Sequence, residues 1–498
     1  MTSKPITLPR AAGVLLHPSS LPGQHGIGDI GKISHDFVDW LHSAGIKVWQ
    51  VLPLGPTGGG DSPYASPASM AGNPWLVGLE LLVDGQLLQS EELIGPQLAN
   101  DYIEFGGMIH WKQDRLHLAA DRLLAQPRHA WYSELQQFRT DNPWVLDAAL
   151  FQVLREARNY QPWWTWEPEL RTRKAAALQF VRENQRVEVD RYIVLQYFFD
   201  RQWRELRQYA KKRGIEFLGD VPIYVDADSA DTWSQPGLFQ LDASGKPSAV
   251  AGVPPDYFSV TGQLWGNPLY DWAAMHKTQY RWWSARLNRA LQLVDRVRID
   301  HFRGFAAYWA VPQGAEDARG GSWQPGPGIA LFRALARDLG KLPLVAEDLG
   351  VVDDDVIALR EGAELPGMLV LQFAFGDNAD NPFLPHNHVP HAVVYTGTHD
   401  NDTTLGWWQS SADVHGKVAD YLGKPLLADV PWTLIRTAMQ SVAQLAVVPL
   451  QDVLELGSEA RMNVPGRPDK NWAWRVLPGQ LTADHAKRLA HLVKLYGR

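Results

Sequence analysis

The chain has 498 residues, of which 45% are hydrophobic and 20% are charged, and its formal net charge is −8. This composition is typical of a large globular protein, and the negative balance without a basic run argues against nucleic-acid binding. The absence of cysteine excludes disulfide bonds and thiolate chemistry.

The N-terminal segment lacks the continuous apolar core of a secretion signal, and no stretch reaches the roughly 20 apolar residues that a membrane helix needs. We therefore expect a cytoplasmic protein of enzyme size. Tryptophan is unusually frequent, with 22 copies. Core packing accounts for most of such residues, while some can serve as flat platforms for sugar rings.

Eight short apolar runs predict strands, and most of them end in polar residues or glycine. They are residues 13–17, 47–53, 216–225, 297–302, 342–347, 368–375, 392–396 and 445–450. Helical patterns lie between most of them, at residues 32–44, 272–295, 329–339, 353–361, 431–444 and 482–496.

This alternation predicts an α/β fold, a closed (β/α)₈ barrel of the TIM type. The alternative is an open doubly wound sheet, which usually carries a glycine-rich phosphate turn after its first strand. The first predicted strand leads instead into His17-Pro-Ser-Ser-Leu-Pro, so the barrel is favoured.

Two connections are too long for simple barrel units. Residues 54–215 contain several helical patterns and predict a helical subdomain inserted after the second strand. Residues 226–271 are rich in turn signals and predict a loop-rich insertion after the third strand. We therefore expect residues 1–498 to form a single catalytic domain with these two insertions.

Acidic side chains follow several predicted strands, at the end where barrel enzymes carry their chemistry. The third strand contributes Asp220, the fourth Asp300, the fifth Glu347 and the seventh Asp400. Each acid alone could be a helix cap, a turn residue or an ion-pair partner. Their recurrence at one end of the barrel favours a functional site.

Several carboxylates without a cysteine fit retaining glycosyl transfer. One carboxylate attacks the anomeric carbon, and a second, with a raised pKa, protonates the leaving oxygen. Arg298 lies two residues before Asp300 and points to the same face of the strand, where it would keep Asp300 ionised. The rival is a metal-dependent hydrolase, for which the fourth strand offers Asp300 and His301 and the seventh offers His399 and Asp400. A histidine-rich loop at residues 385–391 is flanked by prolines and is interpreted as structural.

Long motifs along nearly the whole chain resemble the 4-α-glucanotransferases, the amylomaltase or disproportionating-enzyme branch of the α-amylase-type barrel enzymes. The resembling segments are Gly13-Val-Leu-Leu-His-Pro-Ser-Ser-Leu-Pro, Asp61-Ser-Pro-Tyr-Ala-Ser, Gly219-Asp-Val-Pro-Ile-Tyr-Val, Ala251-Gly-Val-Pro-Pro-Asp-Tyr-Phe-Ser, Gly262-Gln-Leu-Trp-Gly-Asn-Pro, Arg298-Ile-Asp-His-Phe-Arg-Gly, Ala346-Glu-Asp-Leu-Gly, Gln372-Phe-Ala-Phe-Gly, Gly397-Thr-His-Asp-Asn-Asp-Thr and Arg461-Met-Asn-Val-Pro-Gly.

The resemblance implies roles for individual residues. Asp300 matches the nucleophile, Glu347 the general acid/base and Asp400 the transition-state stabiliser. Residues 251–266 match a lid over the cleft. The positions that match sugar-binding residues are Tyr64, Asp220, Trp265, Arg298, His301, Asp377, His399 and Asn463.

The resemblance also implies the reaction: transfer of an α-1,4-glucan segment to the 4-hydroxyl of another glucan or of glucose. The expected ligands are maltooligosaccharides, glucose and larger α-1,4-glucans, with no cofactor, metal ion or obligate protein partner. Two alternatives stay open, a retaining α-glucan hydrolase and a catalytically inactive glucan-binding homologue. Phe105 stands where the family often has tyrosine, which puts a hydrogen bond in a flanking sugar site in doubt.

Overall fold

The computed structural model describes residues 8–255, 259–350, 352–423, 429–467 and 470–498. These ranges contain twelve strands, which are β1 (Ala11–Leu15), β2 (Val48–Gln50), β3 (Glu216–Pro222), β4 (Ala249–Val253), β5 (Gln263–Pro268), β6 (Arg296–Asp300), β7 (Ala307–Pro312), β8 (Ser322–Pro325), β9 (Leu344–Ala346), β10 (Gly367–Val370), β11 (Ala392–Tyr395) and β12 (Leu445–Pro449).

Eight of these strands form one parallel sheet in the order β10-β11-β12-β1-β2-β3-β6-β9. Its two ends meet, because the backbone N–H of Ala346, the last residue of β9, donates to the carbonyl of Pro366 before β10 at 2.9 Å. The strands are short and largely buried on both faces, as parallel strands under helices must be. The predicted (β/α)₈ barrel is confirmed, and each of its strands overlaps one of the eight apolar runs.

Within the described ranges the α-helices are α1 (Lys32–Ser43), α2 (Leu79–Asp84), α3 (Phe105–Leu124), α4 (Ala130–Asp141), α5 (Trp144–Glu156), α6 (Pro168–Arg171), α7 (Ala175–Asn184), α8 (Arg186–Lys212), α9 (Ala230–Ser234), α10 (Trp272–Lys277), α11 (Arg281–Leu293), α12 (Ile329–Leu339), α13 (Asp354–Gly362), α14 (Thr404–Ser410), α15 (His415–Leu422), α16 (Val430–Gln440), α17 (Leu450–Val453) and α18 (Ala483–Leu495). None of them is long and apolar enough to cross a membrane.

One predicted helix is wrong as a single element. Residues 272–295 form α10 and α11, separated by Gln279 and Tyr280, whose φ angles are 55° and 58°. Two consecutive left-handed residues end the first helix. The apolar periodicity continues across the break, and for that reason the pattern did not reveal it.

Helices α2 to α8 lie between β2 and β3, within residues 54–215. Two buried glutamines of α8 hold the backbone of the segment that precedes α2. The side chain of Gln196 both accepts from the N–H and donates to the carbonyl of Gly72, at 2.8 and 2.9 Å. Gln202 does the same for Gly78. The segment that carries Tyr64 is therefore anchored by α8.

A second, antiparallel sheet has the order β5-β4-β7-β8. Strands β4 and β5 lie in the region predicted as loop-rich, while β7 and β8 follow the fourth barrel strand, where no insertion was predicted. Ala249–Val253 contains two alanines and a glycine and gives a weak strand signal. It is a strand here because it pairs with β7. This sheet carries Trp265 on β5.

Candidate active site

Asp300 is the last residue of β6, where the chain turns through His301 with a φ of 52°. Arg298 lies two residues earlier on the same face of the strand. Its Nη2 is 2.9 Å from Oδ1 of Asp300, and its Nη1 is 2.6 Å from Oδ2 of Asp220. Arg298 is thus a buried cation shared by two carboxylates, and the predicted pairing with Asp300 is present.

Asp220 joins this pair through strand register, because β3 places it opposite Arg298 on β6. Its Oδ2 also accepts a hydrogen bond of 2.8 Å from the hydroxyl of Tyr64. Burial raises the pKa of Asp220, and the charge of Arg298 opposes that rise. Burial, and then the charge of Asp220, raise the pKa of Tyr64 well above its usual value, so its hydroxyl remains a donor.

Glu347 immediately follows β9, next to the end of β6. Its Oε2 accepts from the backbone N–H of His301 at 2.7 Å, and its Oε1 accepts from that of Leu349 at 3.0 Å. Burial is the main cause that raises the pKa of Glu347 to about 8; Arg298 opposes the rise and the charge of Asp300 adds to it. Glu347 is therefore a carboxylic acid at neutral pH, beside an arginine-paired carboxylate.

Asp400 lies beyond the end of β11, and its side chain is 42% exposed. Its Oδ1 accepts a hydrogen bond of 2.6 Å from Nδ2 of Asn463, and Nε2 of His399 is 3.4 Å from the same oxygen. The buried ring of His399 stacks on Tyr64, with centroids 5.2 Å apart and an interplanar angle of 15°. A continuous set of contacts therefore joins Asp300 to Asp400 through Arg298, Asp220, Tyr64 and His399.

Trp265 extends from β5 toward this site, with its ring edge-on to His301 at a centroid distance of 4.7 Å. Its side chain is 37% exposed. Burial lowers the pKa of His301 to about 4, so this imidazole is neutral at neutral pH. In the predicted lid at residues 251–266, residues 256–258 lie outside the described part of the chain.

Asp377 behaves differently from the other predicted sugar-binding residues. It is exposed on the chain after β10, and its Oδ1 accepts from the backbone N–H of Asn378 at 2.8 Å. No contact among the described residues links Asp377 to the three acids with proposed catalytic roles, Asp300, Glu347 and Asp400. Phe105 begins α3, and its ring packs partly buried against the core.

Two residues at this end of the barrel were missed as site residues. Arg461 donates to the backbone carbonyls of Asp400 and Asn463, at 2.5 and 2.7 Å. His17 is buried near His399; burial first, and the charge of His399 second, lower its pKa to about 3. Both residues lie inside motifs that carried the family resemblance, and those motifs could have pointed to them. They were missed because a histidine or an arginine in a motif does not by itself indicate a function.

The three acids do not form a metal-ligand group. Among the described residues, the only such group is His25, Asp29 and Glu80, whose ligand atoms lie within 4.8 Å of one another. The fully buried Lys112 already places positive charge there, since after burial it is the next cause that lowers the pKa of His25. A divalent cation would meet that charge, so this group fits an internal ion cluster better than a metal site.

In the histidine-rich loop, ring nitrogens of His386 and His388 form hydrogen bonds with other groups of the protein. His386 shares a hydrogen bond of 3.0 Å with the carbonyl of Ala379 through Nε2. His388 contacts the hydroxyl of Ser441 at 2.7 Å and the carbonyl of Phe383 at 2.8 Å. Ring nitrogens engaged in this way are not free ligands, as the structural interpretation of residues 385–391 expects.

A protonated carboxyl beside an arginine-paired carboxylate, at the carboxyl ends of barrel strands, is the arrangement of retaining enzymes that act on glycosidic bonds. The family model described as 4-alpha-glucanotransferase matches residues 16–481. The chain belongs to this family, whose members act with retention of the anomeric configuration, and it is a 4-α-glucanotransferase-type enzyme.

Individual relatives agree with this assignment. The 4-alpha-glucanotransferase of Thermus thermophilus is 47% identical over 97% of this chain and 98% of its own length. The chloroplastic/amyloplastic enzyme of Arabidopsis thaliana is 46% identical over 98% of this chain and 86% of its own. The amylomaltase of Streptococcus agalactiae, solved in complex with acarbose, superposes with a TM-score of 0.95 at 35% identity, covering 98% of this chain and 99% of that one.

Proposed function

We propose that this enzyme transfers a segment of an α-1,4-glucan to the 4-hydroxyl of another glucan or of glucose, with Asp300 as nucleophile. The observation that carries the proposal is the pairing of a protonated Glu347 with an Asp300 carboxylate held by Arg298. Glu347 carries the proton that the acid role requires, and the ion pair with Arg298 orients Asp300 for the nucleophile role.

In the first step Asp300 attacks the anomeric carbon and the glycosidic bond breaks. Glu347 gives its proton to the departing oxygen, so the leaving chain carries a new 4-hydroxyl and the donor segment is esterified to Asp300. In the second step the ionised Glu347 takes the proton of an acceptor 4-hydroxyl, whose oxygen displaces Asp300. Two inversions give retention, and both carboxyls return to their starting states.

Asp400 acts on the sugar that carries the reacting carbon. Asn463 and His399 hold its carboxylate near the ring hydroxyls and the developing positive charge. Tyr64, Asp220, Arg298, His301 and His399 line the same end of the barrel, and Trp265 covers it. Asp377 contributes, in this proposal, only to an outer sugar position.

The substrates in this proposal are maltooligosaccharides, glucose and larger α-1,4-glucans. In support, the Streptococcus agalactiae amylomaltase was solved in complex with acarbose, and the match covers 98% of this chain and 99% of that one. We also propose that residues 1–498 act as one catalytic domain. In support, Tyr64 from the insertion at 54–215 bonds to Asp220, and Trp265 from that at 226–271 packs on His301, the neighbour of Asp300.

Incubation with maltotriose tests the reaction. Transfer should give glucose together with maltopentaose and longer oligomers, while the number of reducing ends stays constant. A rise of reducing ends in step with bond cleavage would instead identify an α-glucan hydrolase. No turnover of any α-1,4-glucan would favour the inactive glucan-binding homologue.

The pH dependence of the first step should follow the proton of Glu347. This group has to be protonated to act as a general acid, and it loses its proton as the pH rises through about 8. We expect kcat/KM for maltotriose to fall about tenfold per pH unit above that value. The rate of fluoride release from α-maltosyl fluoride, whose leaving group needs no proton, should lack this decline.

The same profile measured on Glu347→Ala provides the control. With the acid removed, the alkaline limb should disappear from the residual rate for maltotriose. If the limb persists in that variant, another group carries the titration and Glu347 is not the general acid.

Replacing Trp265 by alanine should increase hydrolysis relative to transfer. The indole packs on His301 at the rim, where it excludes water and offers a surface to the acceptor sugar. An aromatic contact of this kind contributes about 0.5–1.5 kcal/mol, so we expect roughly a 2- to 12-fold rise in the ratio of hydrolysis to transfer. Reducing-end assays and product chromatography on maltotriose measure the two rates.

Trp323→Ala is the matched control. Trp323 is 39% exposed on β8 of the same small sheet, but its ring lies under the guanidinium of Arg303 instead of against His301. Its removal should leave the ratio unchanged. Equal effects of both variants would mean that the ratio reports general loosening of this sheet.

A further inference from the structure

Two loops meet at Asp400. One follows β11 and carries His399 and Asp400; the other follows α17 and carries Arg461 and Asn463. Besides the bond between the side chains of Asn463 and Asp400, the backbone N–H of Asn463 donates to the carbonyl of His399 at 3.2 Å. The position of the Asp400 carboxylate thus depends on how the second loop is held against the first.

Arg461 contacts both loops through their main chains. Its Nη2 donates to the carbonyl oxygen of Asp400 at 2.5 Å, and its Nε donates to the carbonyl oxygen of Asn463 at 2.7 Å. The guanidinium is planar and always charged, and its donors have a fixed geometry. One rigid group therefore sets the distance between the backbones of the two residues whose side chains bond to each other.

We propose that Arg461 is a positioning residue for the transferase reaction, which fixes Asp400 in its reactive orientation without contacting the sugar. The inference rests on the proposed role of Asp400. It assigns a function to Arg461 that follows neither from the family match nor from the acids themselves.

A comparison with Arg298 explains why the contact is made to carbonyl groups. Arg298 binds the carboxylates of Asp220 and Asp300 directly, through ion pairs of 2.6 and 2.9 Å. A carboxylate that has to accept hydrogen bonds from sugar hydroxyls cannot be occupied in the same way. By holding the carbonyl, Arg461 orients Asp400 while its carboxylate, 42% exposed, stays available to Asn463 and the substrate.

Kinetics of Arg461→Ala and Arg461→Lys test the proposal. Misplacement of a reacting group by about 1 Å can cost about 100-fold in rate, so kcat for maltotriose disproportionation should fall roughly 10- to 100-fold in Arg461→Ala. KM should change less than kcat, because Asp400 is proposed to act mainly in the transition state. Lysine keeps the charge but lacks the planar pair of donors, so Arg461→Lys should recover little of the loss.

Chemical rescue separates positioning from folding. Guanidinium chloride at tens of millimolar, well below denaturing concentrations, should restore activity of Arg461→Ala severalfold, while urea and sodium chloride at equal concentration should not. Arg467→Ala is the matched control, since Arg467 is exposed on the same loop. It should show neither loss nor rescue.

A double variant tests whether Arg461 acts through Asp400. Measured with α-maltosyl fluoride, Asp400→Ala/Arg461→Ala should be within about twofold of Asp400→Ala alone, because residues that act as a unit are not additive. Full activity of Arg461→Ala, or losses that multiply in the double variant without guanidinium rescue, would overturn the positioning role. Full activity of Asp400→Ala with Arg461 intact would instead overturn the proposed role of Asp400.

Discussion

Asp300→Ala should reduce kcat for maltotriose by on the order of 10⁴-fold or more, because no glycosyl ester can form without the nucleophile. Azide should restore turnover of α-maltosyl fluoride in this variant. The small anion enters the space left by the carboxylate and attacks from the side opposite the leaving group. The product should therefore be the β-glycosyl azide, which nuclear magnetic resonance of the anomeric proton identifies.

Asp353→Asn is the control for this loss. Asp353 also pairs with an arginine near these strand ends, at 2.7 Å from Arg303, and caps α13. Asparagine is an equally good cap, so that variant should keep both stability and activity. Substantial transfer by Asp300→Ala without azide would place the nucleophile on another residue.

Glu347→Ala should show the second large effect, with a different pattern. Loss of the general acid should slow maltotriose turnover by roughly 10²–10⁴-fold. The first step with α-maltosyl fluoride should be affected far less, because fluoride leaves without protonation, and the glycosyl-enzyme should then accumulate. Azide needs no general base and should release it as the α-glycosyl azide, since it attacks an intermediate that has already inverted once.

The opposite anomers expected from the two variants make the assignments checkable against each other. The same configuration from both variants would contradict at least one role. An equal slowing of the fluoride and of maltotriose in Glu347→Ala would mean that this residue does not act as the acid.

The barrel could be predicted because most of its strands are buried apolar runs that are followed by a helix. The acids could be placed for the same reason, since residues that directly follow such runs lie at one end of the barrel. The register of the strands could not be predicted. Asp220 lies opposite Arg298 because of how β3 and β6 align, and no local sequence pattern encodes that alignment.

Tertiary effects explain the remaining differences. The small sheet forms because β4 pairs with β7, more than fifty residues away, and not because either segment is a strong strand former. The break at Gln279 and Tyr280 interrupts a helix whose apolar face continues. Burial raises the pKa of Glu347, and Arg461 bonds to Asp400 only because two loops approach each other. Neither the burial nor the approach of the loops can be predicted from local sequence.

Trapping the covalent intermediate tests the central assignment most directly. The donor would be 4-deoxy-α-maltotriosyl fluoride, which lacks the 4-hydroxyl needed to act as its own acceptor, and the enzyme would be Glu347→Ala, whose second step is slow. Proteolysis at low pH and fragmentation mass spectrometry would locate the added sugar. We expect the adduct on Asp300, in the peptide that follows β6; an adduct on Asp400, Asp220 or any other residue would contradict the mechanism.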